Sequence, residues 1–289
     1  AVAHDIEDLR SLLAGTTVSP AFSVADNYFG SYGAVAPADL ERQLQVMAAY
    51  TKSPAYSANA LRLFRRPLPE IYSTLDATPG SALSVNVGKV MTDNDPRFSL
   101  APLETMQSVD FEMLKTALSD ALAVNRLEIA LVGDIDADAA IASVGRTFGA
   151  LPPRKTSGDN YDEAKRTAWA NASGNFDIPH KGEANQLGWR RVWTTTDDTN
   201  QKRTQTMDLL ARIVTLRLTD ELREKLGATY GGGASSGMSN VYPGRGTFSI
   251  STSGDPKDLL AIEGAVDQII AELIAAPAEA DIFERARKP

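Results

Sequence analysis

The 289-residue chain contains no cysteine and only two histidines, His4 and His180. Disulfides, thiol nucleophiles and cysteine-ligated metals are therefore excluded, although the compartment is not fixed by this. A zinc site built within the chain would have to draw most of its ligands from carboxylates, which is uncommon for zinc. Neither His-Glu-x-x-His nor His-x-x-Glu-His occurs. Long apolar runs are also missing, and no stretch approaches the ~18 residues that suggest a membrane span. There is no dense Lys/Arg stripe, and 29 basic against 37 acidic residues leave a net charge of −8. Nucleic acid and anionic membrane surfaces are poor partners for such a chain.

With 43% apolar and 23% charged residues, the composition is that of a globular protein long enough for one large or two ordinary domains. Asp5 to Ala14 reads as a short helix closed by Gly15, and Thr16 to Ala34 as extended chain. Pro37 opens a helix through Tyr50, and Ser53-Pro54 begins another helical stretch. Asp93 to Pro102 is loop by composition, Ser108 is placed to cap a helix to about Val124, and the apolar run Leu127 to Val132 suits a buried strand. Ala137 to Phe148 reads as helix, Leu151 to Ala164 as a polar boundary, and Gly174–Pro179 and Asn185–Trp193 as strands. Residues 1–154 are thus expected to form a first α/β domain, 155–173 a linker and 174–289 a second domain.

The strongest local pattern begins at Gln201. Met207, Leu210, Ile213, Val214, Leu218 and Leu222 recur at helical spacing, and Gly227 stands where a left-handed residue would stop the helix. Arg223 then lies in the final turn and Tyr230 just past the stop, before a second strand, Gly246 to Thr252. Arg223 suits a solvated cation at the negative helix end and Tyr230 an ordinary strand aromatic; equally, both can point into one cleft. Pro256 opens a helix through Ala275, and Pro277 introduces the last one.

The two halves repeat one another faintly. Leu9-Arg10 corresponds to Leu222-Arg223, PADL from Pro37 to PKDL from Pro256, and Pro54 to Pro277, in the same order. Two domains of one design follow from this.

Other motifs fail on inspection. Asp134, Asp136 and Asp138 begin like a calcium loop, but Ala139 and Gly145 stand where Gly and Glu are needed, so these acids read as helix caps. Gly231-Gly232-Gly233 lacks the Gly-Lys-Ser/Thr of a phosphate cradle and instead leaves room for a backbone or a peptide to approach. Ser235 and Ser236 have no nucleophile-elbow setting, and His180 reads as a turn residue.

LREKLGATYGGGASS (from Leu222), Gly133 to Arg154 and the closing DIFERARKP together resemble the pitrilysin/insulinase family of zinc metallopeptidases, and in particular the C-terminal half of a bacterial member. The resemblance implies an α+β fold of two similar α/β-roll domains, of the type shared with mitochondrial processing peptidase. It implies a first domain lacking its N-terminal strands and a second cut short at its C-terminus. It further implies that zinc belongs to an N-terminal half, on the same chain or a separate subunit, and none to these residues. The metal-free half of such enzymes contributes an Arg and a Tyr seven residues apart, a spacing shared by Arg223 and Tyr230. On this resemblance the pair is expected to contact the backbone or developing oxyanion of a peptide substrate, with Gly231 and Gly232 beside it. The alternative is a catalytically inactive scaffold subunit of the same fold. A periplasmic or cell-envelope location is expected, with the cytoplasm as the other possibility.

Overall fold

The computed structural model describes residues 6–155, 160–170, 173–226 and 231–288. Its order begins α1 (Ile6–Leu12), β1 (Ala21–Val24), β2 (Phe29–Tyr32), α2 (Leu40–Lys52), α3 (Ala58–Arg65), α4 (Leu68–Thr74) and α5 (Pro79–Met91). It continues with α6 (Leu103–Ser108), α7 (Phe111–Val124), α8 (Ala137–Arg146) and α9 (Asp162–Lys165). Then come β3 (Leu187–Thr195), α10 (Gln201–Leu226), β4 (Gly232–Met238), β5 (Gly246–Gly254), α11 (Leu259–Ala275) and α12 (Ala280–Arg287). Helices with antiparallel sheets make this an α+β protein, as the family resemblance implied.

The described chain divides into two compact units. One comprises residues up to Leu68 with Glu104–Asn160; the other comprises Pro69–Leu103 with residues from Tyr161 onward. Pro69–Leu103, which the sequence reading places within residues 1–154, packs with the later residues. At Gly188 on β3, a Cβ would come within 2.9 Å of Pro79 and 3.0 Å of Leu83, so α5 lies directly on the strand. The Ala170 N–H also donates to Met91 O at 2.8 Å, and Lys181 N–H to Asp76 O at 2.7 Å. Composition marks a boundary where the chain turns polar, but it cannot show an excursion that returns to its own unit.

In the later unit, β5 lies between β3 and β4, antiparallel to both, with Ile250 opposite Arg191 on one side and Ala234 on the other. Alternation along β5 buries Phe248, Ile250 and Thr252 on one face. Onto that cluster pack Leu218 and Leu222 of α10 with Ile262, Val266 and Ile269 of α11. Each such side chain contributes roughly 1.5–3 kcal/mol when fully buried. The helical stripe read from the sequence is thus the core face of α10, and Ile213 on the same helix meets Ile282 and Ala286 of α12.

The earlier unit is organised around α2. Leu44 and Ala48 are buried there, together with the Gln43 side chain, whose Oε1 accepts from Ser19 N–H at 3.0 Å. Asp39 accepts from both the Thr17 N–H and its hydroxyl, which holds the carboxyl below its usual range. β1 and β2 form a two-stranded hairpin on which Phe22 and Phe29 stack with ring centroids 6.2 Å apart.

The faint sequence repeat has a structural counterpart. In the earlier unit α1 leads to the β1–β2 hairpin, a 3-10 turn at Pro37–Asp39, α2 and α3. In the later one α10 leads to the β4–β5 hairpin, a 3-10 turn at Pro256–Asp258, α11 and α12. Leu40 and Leu259 occupy the same place, following the turn and opening the long helix.

Three local expectations are corrected. Leu127 to Val132 forms no strand and Val132 is 99% exposed, because no strand lies beside it among the described residues to pair its backbone. Gly174 to Pro179 likewise forms no strand. The cap of α7 is Asp110, whose Oδ1 accepts from Met113 N–H at 2.9 Å, while Ser108 ends α6.

Candidate functional site

The segment singled out in the sequence joins the end of α10 to the start of β4. Leu218 and Leu222, 0% and 1% exposed, fix the last turns of α10 against the core. Arg223 follows in that last helical turn. The Arg223 side chain, Gly227 and Tyr230 lie outside the described residues, so the predicted helix stop and the Arg–Tyr approach do too.

The two predicted glycines have different surroundings. Gly231 is exposed, no described residue lies within 4 Å of where its Cβ would be, and its carbonyl accepts from the Thr252 hydroxyl at 3.3 Å. Gly232 pairs with Thr252, and a Cβ on it would meet Leu218 and Thr252 side-chain atoms at 3.1 Å. Close packing of strand on helix is sufficient reason for that glycine.

β4 is the last strand of its sheet, so one side of it is an edge. Extended peptides pair with such edges. At Ala234, however, the edge N–H donates to Thr215 Oγ1 of α10 at 2.8 Å, and that hydroxyl in turn donates to Ala211 O at 2.8 Å. The helix therefore already occupies the edge at this position. Pattern reading missed Thr215; a hydroxyl on the apolar side of a long helix was the available signal.

Among the described residues, the remaining polar groups form no complete catalytic constellation. Ser235 Oγ lies 2.9 Å from Ser249 Oγ, on the sheet face away from the core. His180 is a turn residue, as read: Gly182 N–H donates to its Nδ1 at 3.1 Å, and its Nε2 lies 3.1 Å from Gln186 O. Among the described residues, no three His, Asp or Glu side chains gather where a metal ion could be held. The described donor set does not fit zinc. Asp136 caps α8, its Oδ1 accepting from Ala139 N–H at 2.8 Å, as the sequence suggested for the acidic run.

The described residues thus form an α+β chain in which the long helix α10 precedes a glycine-rich strand, β4, of an antiparallel sheet. The chain belongs to the peptidase M16 inactive-domain family, whose model matches residues 108–289. Among solved structures it is similar to the peptidase M16 inactive domain from Pseudomonas fluorescens, at TM-score 0.75 and 20% identity over 98% of this chain and 68% of that one. It is also similar to pitrilysin, at TM-score 0.63 and 16% identity over 96% of this chain and 30% of that one. The periplasmic protease PqqL from Escherichia coli gives TM-score 0.57 and 14% identity over 97% of this chain and 32% of that one. At these identities the likeness is one of fold. No curated protein matches the sequence.

Proposed function

We propose that this chain is the metal-free, substrate-binding half of a zinc metalloendopeptidase that hydrolyses peptides or unfolded segments. Membership of the inactive-domain family is the observation that carries the reading. In this reading the metal would be held by an N-terminal half and would supply an activated water for attack on a peptide carbonyl. The role of the present chain is to hold the peptide. Arg223 and Tyr230 donate hydrogen bonds to the substrate backbone and to the carbonyl oxygen as it gains negative charge. The open space at Gly231 lets the peptide backbone approach, and Gly232 keeps β4 close to α10 so that the connection holds its place. By itself the chain is inactive. The periplasmic location of PqqL supports an envelope location for this chain as well.

A second reading, a non-catalytic scaffold subunit, has one observation in its favour: Thr215 already occupies the β4 edge at Ala234. Hydrolysis of quenched fluorescent peptides by a zinc-bearing half, with this chain added, separates the two. The peptidase reading predicts activity only in the combination, with Arg223→Ala plus Tyr230→Phe lowering kcat by about 10²–10³ and changing KM little. A double variant as active as the unmodified combination removes the role assigned to the pair. A combination that is inert with every peptide supports the scaffold.

A further inference from the structure

A cavity of about 260 Å³ lies within the later unit, on the face of the β3–β5–β4 sheet that is turned away from the core. Arg190 and Arg245 line it, and none of the described residues lining it is acidic. In a chain of net charge −8, this concentration of positive charge in a concave site runs against the overall balance.

The Arg245 guanidinium carbon is 3.6 Å from the ring centre of Phe98 and 4.0 Å from that of Trp169. Stacking of this kind holds a guanidinium plane in one orientation and lowers the entropy lost when its N–H groups bind an anion. The surrounding wall is built rather than loose. Phe98 meets the buried Tyr242 edge-on at 5.1 Å, and the backbone bond from Ala170 to Met91 ties the Trp169 segment to the end of α5. Asp95 lies near enough to feel the Arg245 charge. It is gripped by Arg97 and held at a pKa of about 2, chiefly by that hydrogen bond, with Arg245 adding to the shift. Val87, Met91 and Val192 add apolar surface to the lining.

The geometry points to a carboxylate site: we propose that Arg190 and Arg245 bind a carboxylate of a peptide whose neighbouring apolar side chain rests on Val87, Met91 and Val192. The volume is below the ~300–1,000 Å³ usual for drug-sized ligands and suits one or two residues. Assignment to a peptide, as opposed to another carboxylate, rests on the peptidase-half reading. Two sources share this chemistry, a free C-terminus and an Asp or Glu side chain.

The test is calorimetric titration of the 289-residue chain with alanine-rich hexapeptides ending in leucine. One peptide carries a free C-terminal carboxylate, one a C-terminal amide, and one an amide with an internal glutamate. A carboxylate-bearing peptide is expected to bind at least about tenfold more tightly than the plain amide and to weaken as salt rises. Preference for the free acid assigns the C-terminus, and parity of the glutamate peptide assigns the side chain. Arg190→Gln, at an exposed position, is expected to lose about fivefold or more, and Arg245→Gln, checked for folding by circular dichroism, at least as much. The proposal is overturned if the plain amide binds equally well, if no peptide binds, or if Arg190→Gln and a folded Arg245→Gln bind like the original chain. Because Arg223 and Tyr230 are assigned to the peptide backbone, the readout is the ratio of carboxylate-bearing to plain amide affinity. Arg190→Gln and Arg245→Gln are expected to remove that ratio and Arg223→Ala with Tyr230→Phe to preserve it, so failure here and failure of the peptidase reading are told apart.

Discussion

β5 and the segment Leu127 to Val132 are both short runs rich in β-branched or apolar residues, yet their environments are opposite. On β5, Ile250 is 1% exposed; in the other segment, Val132 is 99% exposed. β5 has a strand on each side and the apolar faces of α10 and α11 over it. Leu127 to Val132 has no strand beside it among the described residues. An apolar run becomes a buried strand only when neighbours satisfy its backbone and a second layer covers its side chains. The same contrast runs through the two hairpins. Phe248 and Ile250 of β5 are buried, whereas Phe22, Val24 and Tyr32 of β1 and β2 are exposed.

The largest effect is expected where the later unit is most closed. Leu218→Ala should cost about 2–5 kcal/mol in urea unfolding, whereas Val132→Ala should stay within about 0.5 kcal/mol. A comparable loss at both positions would break the comparison. Thr215→Val should cost about 1–2 kcal/mol, because the part-buried Ala234 N–H loses its acceptor. Hydrogen exchange should quicken at Ala234 first. In the earlier unit, Asp136→Ala should cost about 1 kcal/mol by removing the cap of α8. Thermal unfolding monitored by circular dichroism checks this.

A smaller effect concerns acid. Asp95 has its pKa lowered from 3.8 to about 2, so its contribution is complete above pH 3.8 and is lost as pH falls towards 2. Asp95→Asn should flatten the loss of stability across that window and leave its slope near neutrality unaltered. An acid titration in which both proteins lose stability in parallel would remove Asp95 from the account.

How much of this was legible beforehand follows from the same contrast. The core stripe of α10 was readable because a long amphipathic helix keeps its period whatever lies around it. The hairpin, Pro-led turn and long helix were readable twice over, since the repeat pairs Pro37 with Pro256. Strand formation at Leu127 to Val132 was misjudged, because strand partners are distant in sequence and a single run does not reveal them. The placement of Pro69–Leu103 was hidden for a related reason, as the contact of α5 with Gly188 spans about a hundred residues. At the candidate site, the glycine-rich connection was visible in the letters. The bond from Ala234 to Thr215, which limits what β4 can accept, depends on two elements meeting in space.

The proposed function makes the same contrast testable, because it assigns the substrate backbone to the glycine-rich segment of the later unit and not to the exposed aromatic hairpin of the earlier one. Photo-crosslinking with a benzophenone-bearing unfolded peptide, mapped by mass spectrometry, distinguishes them directly. The account predicts crosslinks within residues 223–238 that diminish with Arg223→Ala plus Tyr230→Phe. Crosslinks confined to the hairpin around Phe22 and Phe29, and unchanged by that double substitution, would contradict it.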